Sequence, residues 1–105
     1  MRANERAVDV QGYLLDWQQW DEPFAKLMAA AEEIELGADH WMVLHFLRAF
    51  YADYGISPPM RVLVKSIAPL LGGAASSRRL YQLFPQGPAR QACKIAGLPK
   101  PESCI

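Results

Sequence analysis

Apolar residues recur at helical spacing along most of the chain. Phe24, Leu27, Met28 and Ala31 stand at i, i+3, i+4 and i+7 behind Asp21, Glu22 and Pro23. Acids and a proline suit a first turn, so the pattern predicts a helix over about 22–33. After a connector at 34–37, Val43, Leu44, Leu47, Phe50, Tyr51 and Tyr54 form a wide stripe over 38–54. That stripe predicts the longest helix and the centre of the core. Gly55 accepts positive φ and suits the position just past that helix, while Ser57-Pro58 reads as an N-cap followed by proline at the first helical position. A third helix is then expected over about 58–71, burying Met60, Leu63, Val64, Ile67 and either Leu70 or Leu71, with Pro69 forcing a kink or an end near Ala68.

The flanks are less regular. Ala7 to Leu15 alternates imperfectly around Gln11-Gly12, which reads as a hairpin or one short strand, and Asp16 to Trp20 turns the chain into the first helix. Gly72 to Ala75 forms a turn, Ser76 or Ser77 caps a short helix through Phe84, and Pro85-Gln86-Gly87-Pro88 ends it. A last helix runs from Pro88 to Ala96 with Ala89, Ala92, Ile95 and Ala96 inward and Gly97 as its C-cap. Leu98 to Ile105 holds two prolines in eight residues and follows no helical or strand period, so 98–105 is expected to be an arm whose end can move. The class is all-α: about five helices with at most a minor N-terminal β element.

Size adds a bound. The 105 residues suffice for one domain, expected to span 1–105, and 51% hydrophobic against 21% charged residues allow it a core. No apolar run approaches the roughly 18 residues of a membrane span, and Met1 to Arg6 leads into no signal-peptide core, so a soluble, cytoplasmic protein is expected.

Formal charge is zero, which removes any global field for nucleic acid or anionic lipid. The distribution is uneven. Residues 1–53 carry four basic groups against ten acidic ones, a balance of −6, whereas 54–105 carry seven basic groups against Glu102 alone, a balance of +6. Either the halves pair within the domain, or the C-terminal half presents a basic docking surface, with Arg78, Arg79, Arg90, Lys94 and Lys100 the candidates.

Two cysteines are too few for a disulfide scaffold, so their chemistry matters more than their cross-linking. Cys104 is penultimate, where packing seldom claims a residue, and cysteine is the most nucleophilic side chain near neutral pH. Arg90, Lys94 and Lys100 favour its thiolate if the arm folds back, while Glu102 and the terminal carboxylate oppose it. Cys93 lies eleven positions earlier on the last helix, and Gly97, Pro99 and Pro101 allow the chain to reverse between them. Closing that loop constrains the unfolded chain by roughly 2 to 3 kcal/mol, modest enough for exchange with a partner. Against this, a lone cysteine among alanines is commonly a small buried hydrophobe.

Other chemistries find less support. His40 and His45 stand about 140° apart on a helix and show no paired-ligand spacing, so no metal site is expected. His40 reads as a solvated first-turn residue and His45 as partly buried. Gly72-Gly73 lacks the Lys-Ser or Lys-Thr of a phosphate loop, and the basic half has no carboxylate pair. The helices flanking Gly55-Ile56-Ser57, with Arg61 and Lys65, keep a helix-turn-helix DNA-binding regulator as an alternative, and a structural adaptor anchored by its tail is another. Trp17, Trp20 and Trp41 are expected to fasten the N-terminal segment to the second helix.

The stretches Leu80-Tyr81-Gln82-Leu83-Phe84-Pro85-Gln86-Gly87-Pro88-Ala89 and Gln91-Ala92-Cys93-Lys94-Ile95-Ala96-Gly97-Leu98-Pro99-Lys100-Pro101, with the closing Cys104-Ile105, resemble the DsrC/TusE/DsvC family of small sulfur-carrier proteins. Gly12-Tyr13-Leu14, His40-Trp41, Phe46-Leu47-Arg48 and Pro59 to Lys65 extend the resemblance over nearly everything from residue 8 onward. It implies a compact helical protein in which Cys104 carries sulfane sulfur as a persulfide and Cys93 is a second redox residue, as in the two-cysteine DsrC-like branch. It implies a carrier or protein co-substrate of the sulfurtransferase type, rather than a stand-alone enzyme, and no cofactor. In the DsrC-like branch the partners are a DsrEFH-like donor, dissimilatory sulfite reductase and a membrane thiol-disulfide complex. In the TusE-like branch, which typically lacks the upstream cysteine, a TusBCD-like complex donates and a tRNA 2-thiouridylase accepts. Two departures stand out: a β segment expected before Ala7 is nearly absent, and 72–79 lacks the family's charged loop.

Overall fold

The computed structural model describes residues 7–67, 69 and 76–100. After a 3₁₀ turn at Trp17–Gln19 come five helices: α1 Glu22–Ala31, α2 Ala38–Tyr54, α3 Met60–Ile67, α4 Ser76–Leu83 and α5 Pro88–Ile95. Among the described residues the only β feature is one antiparallel bridge, Val8 to Leu14. Asp9 organises that turn, its carboxylate accepting from the amides of Gln11 and Tyr13 at 2.9 Å each. The turn delivers Tyr13 and Leu14 to the core and leaves Val10 and Leu15 in solvent.

Local chemistry explains the boundaries. Asp21 caps α1 by accepting from the Phe24 amide at 2.9 Å. The helix ends in a Schellman motif, with Ile34 N donating to Ala29 O and Glu33 N to Ala30 O, which places Glu33 at φ +60°. α2 ends as its sequence dictates, on Gly55 at φ +73°. α3 stops at Ile67, two residues before Pro69, as a proline requires.

Four expectations are corrected. First, α3 begins at Met60, not Pro58: Pro59 supplies the carbonyl for Leu63 N, Pro58 is fully buried, and Ser57 turns its hydroxyl elsewhere. Second, the central element is α5, which packs against all four other helices. Its face of Ala89, Ala92, Cys93 and Ala96 lets neighbours approach closely, whereas α2 outgrows the core and leaves Tyr54 exposed. Third, His40 is not a solvated residue. Its Nδ1 accepts from Gly37 N at 3.0 Å and its Nε2 meets Leu83 O at 2.9 Å, which selects the Nε2–H tautomer and ties α2 to the end of α4. Fourth, His45 is exposed, with its ring against Trp20 and Trp41.

The tryptophans fasten the N-terminal segment as expected. Trp17 packs edge-on against Tyr51 of α2 at 5.1 Å between ring centroids, and the Arg48 guanidinium of α2 lies over both Trp17 and Trp20. No helix among the described residues is long and apolar enough to cross a membrane.

Candidate functional site

Every carbonyl at the C-terminal end of α5 has a partner. Ile95 O accepts from Trp20 Nε1 at 2.9 Å, and Ala96 O from Arg48 Nη1 at 2.8 Å. Arg48 also donates to Trp17 O at 2.9 Å, so one cation bridges the N-terminal segment and the negative end of the α5 dipole. Burial pulls the Arg48 pKa below its ordinary value. Leu98 N donates to Cys93 O at 2.9 Å and Gly97 N to Lys94 O at 3.3 Å, a second Schellman motif with Gly97 at φ +74°. This motif turns the chain at the end of α5, and Ser57 in the α2–α3 turn donates to Pro99 O at 3.3 Å. Leu98, first residue of the expected arm, is fully buried, while Pro99 and Lys100 are exposed.

Cys93 has no exposed surface and lies in the core cluster with Leu44, Leu63 and Leu98. Burial pushes its thiol pKa up to about 11, opposed in part by the influence of the Ser57 side chain. At neutral pH it is therefore a protonated thiol in an apolar setting. Tyr13, 3% exposed, has a hydroxyl with no hydrogen-bond partner among the described residues. Burial raises its pKa to about 12, the Arg90 charge working against that rise and Cys93 adding to it. Cys104 lies outside the described residues.

The proposed docking cations divide into two sets. Arg78 and Lys100 are exposed, and Arg90 is exposed while donating to Gln86 O at 2.8 Å. Arg79 pairs with Asp39 at 2.7 Å and Lys94 with Glu32 at 3.3 Å, so part of the charge asymmetry is settled inside the domain. Arg61 and Lys65 are exposed on α3. Gly72-Gly73 falls outside the described residues, and among those described no three His, Cys, Asp or Glu side chains cluster to hold a metal ion.

Sequence reasoning missed the residues that support this end of the molecule. Gln91 is fully buried: its Oε1 accepts from Gln86 N at 2.9 Å and its Nε2 donates to Glu32 Oε1 at 3.0 Å. A polar residue within the Ala-Cys-Ile face of α5 was the available signal. Ser57 and Arg48 gave none, because their partners lie about forty or more residues away, at Pro99 and Ala96.

A family model described as DsrC like protein matches residues 1–105. The chain is 52% identical over 104 residues to the sulfurtransferase TusE of Salmonella typhimurium, covering 98% of this chain and 95% of that one. The solution structure of Allochromatium vinosum DsrC superimposes with a TM-score of 0.86 at 46% identity, over 95% of this chain and 90% of that one. The crystal structure of the oxidised γ-subunit of dissimilatory sulfite reductase (DsrC) from Archaeoglobus fulgidus also gives 0.86, at 41% identity over 95% and 92% of the two chains.

Proposed function

The chain belongs to the DsrC-like family of sulfur-relay carriers, and on that premise we propose that Cys104 is the sulfur-bearing residue and Cys93 its exchange partner. The Cys104 thiolate attacks the terminal sulfur of a donor persulfide, forming Cys104–S–SH and releasing the donor thiolate. In the two-cysteine mode, Cys93 as thiolate attacks the sulfur bonded to the Cys104 side chain. A Cys93–Cys104 disulfide forms and hydrosulfide leaves, so the sulfane sulfur is reduced to sulfide while two cysteines are oxidised.

The observation that carries this reading is the turn at Gly97. It anchors Leu98 N on Cys93 O at 2.9 Å, and Cys104 follows Leu98 by six residues. Six residues span at most about 20 Å, ample to turn back to Cys93 or to reach into a partner. Oxidation of the intact protein should yield a linked peptide joining Cys93 and Cys104; failure to form one under any mild oxidant would contradict the exchange role of Cys93.

A second reading rests on the 52% identity to a sulfurtransferase TusE: the terminal sulfur passes from Cys104 directly to an acceptor thiolate, serving tRNA thiolation. Cys93→Ala separates the two, since it abolishes sulfide release in the first mode and leaves sulfur transfer unchanged in the second. The presence of Cys93 favours the first, with dissimilatory sulfite reductase as acceptor, a DsrEFH-like donor and a membrane thiol-disulfide complex as reoxidant, all met from the cytoplasm. A TusBCD-like donor and a tRNA 2-thiouridylase are the partners of the second. Arg78, Arg90 and Lys100 steer docking, and Arg79 and Lys94 contribute where a partner displaces their internal carboxylates.

A further inference from the structure

The acidic half of the chain carries a surface that sulfur transfer leaves unused. Between α1 and α2 the connector 34–37 runs between two grooves. Ile34 and Leu36 line one of about 200 Å³, walled by Ala29 and Ala30 of α1 and Trp41 of α2, with the exposed Lys26 at its edge. Glu35 and Gly37 line the other, of about 280 Å³, together with Asp39 and Arg79. Successive residues thus serve opposite grooves, the period-two alternation of an extended backbone, and Gly37 itself is extended at φ −110° and ψ −175°.

Both ends of the connector are fixed. Ile34 N donates to Ala29 O at 2.8 Å, and Gly37 N to His40 Nδ1 at 3.0 Å. Between them the N–H and C=O of the exposed Glu35 have no partner among the described residues. Unpaired groups on an extended backbone are a template for a further strand. The charges beside them are unequal. Asp39 and Arg79 neutralise each other at 2.7 Å, whereas Glu35 has no ion-pair partner among the described residues.

We propose that the connector 34–37 is a docking site for an extended segment of a partner protein in which a basic residue stands between two apolar ones. The segment pairs with Glu35 and exchanges both backbone hydrogen bonds with it. Residues directly opposite in a β pair share a face, so the basic side chain lies beside the Glu35 carboxylate. Its apolar neighbours then lie on the face of Ile34 and Leu36, where one enters the groove walled by Trp41. Lys26 fixes the register: a slip of one residue brings the basic side chain to Lys26 and the apolar ones to Glu35 and Asp39. Neither groove is lined by Cys93 or by the end of α5, so docking leaves the thiols free and does not depend on the sulfur-transfer reading. A partner held there stays at raised effective concentration around the carrier.

The test is a titration of the isotope-labelled full chain, followed by NMR of its amides, with the peptide acetyl-GSLKLSG-amide and its acidic counterpart acetyl-GSLELSG-amide at up to about 5 mM. The basic peptide should shift the Glu35 and Leu36 amides and the Trp41 indole N–H, and bind about three- to tenfold more tightly than the acidic one. Glu35→Lys should reverse that preference. Ala30→Arg, which fills the apolar groove, should weaken both peptides at least about tenfold. Glu35 and Ala30 are exposed, so both variants should fold. Absence of shifts at Glu35 and Leu36, equal affinity for the two peptides, or a preference that survives Glu35→Lys each overturns the proposal. The same shifts on raising the protein concentration without peptide assign the connector to a second copy of the chain and overturn it as well.

Discussion

A thiol with no exposed surface is a titrating group whose folded and unfolded states disagree. Burial holds Cys93 at about 11 against an ordinary 9. The unfolded chain therefore sheds this proton first, and the stability it contributes is intact below pH 9 and lost as pH rises towards 11. Between Cys104→Ser and the Cys93→Ala/Cys104→Ser double variant, the difference in urea-unfolding stability should shift by about 2 to 3 kcal/mol from pH 8 to pH 11, against the protein that retains Cys93. A difference that ignores pH would show that the thiol ionises freely in the fold. Glu32 has the opposite sign. The Gln91 side chain and then Lys94 hold its carboxyl below the ordinary value, outweighing burial, so its contribution is present above pH 4.5 and lost as pH falls through the depressed value. Glu32→Ala strands the buried Gln91 amide and should cost about 1 to 3 kcal/mol, whereas Glu32→Gln keeps an acceptor, costs less and flattens the acid limb of the stability curve.

At the scale of elements, two helix ends with the same motif differ in how well their sequence fits. α5 closes on Gly97, where an added Cβ would meet Trp20 Cδ1 at 2.5 Å as well as adopting φ +74°. Gly97→Ala should therefore destabilise by about 2 kcal/mol or more in thermal or urea unfolding. α1 closes on Glu33 at φ +60°, a conformation glycine adopts without strain, so Glu33→Gly should stabilise by about 0.5 to 1 kcal/mol despite the added freedom of the unfolded chain. The five helices were legible because apolar period, proline and glycine act locally: the α2 bounds and the end before Pro69 follow from residues within one turn. The hub was not. A scan for large apolar side chains favours α2, while the helix that every other helix touches is built of small ones, and their role appears only when neighbours close over them. The start of α3 was misread for a related reason: Ser57-Pro58 is a good local cap, but Pro58 is drawn into the core and Ser57 to Pro99. Of the candidate site, the cysteines were legible from position and resemblance, whereas Ser57, Arg48 and Gln91 act on partners distant in sequence.

Over the whole molecule, the acidic N-terminal and basic C-terminal halves are joined at Asp39–Arg79 and Glu32–Lys94, and among the described residues Arg61, Lys65, Arg78, Arg90 and Lys100 are exposed. The fold secures the end of α5 with Trp20, Arg48 and the Gly97 turn, then hands on a short length of chain whose penultimate residue is a thiol. On the proposed reading, in which Cys104 carries the sulfur, that secured helix end is the support from which the thiol meets donor and acceptor. The most direct measurement is intact mass after incubation with a sulfur-donating partner. Cys93→Ala, which cannot discharge the sulfur as sulfide, should gain one sulfur atom, about 32 Da, removed by reductant, and Cys104→Ser should gain none. The same adduct on Cys104→Ser would place the carried sulfur elsewhere and contradict the account.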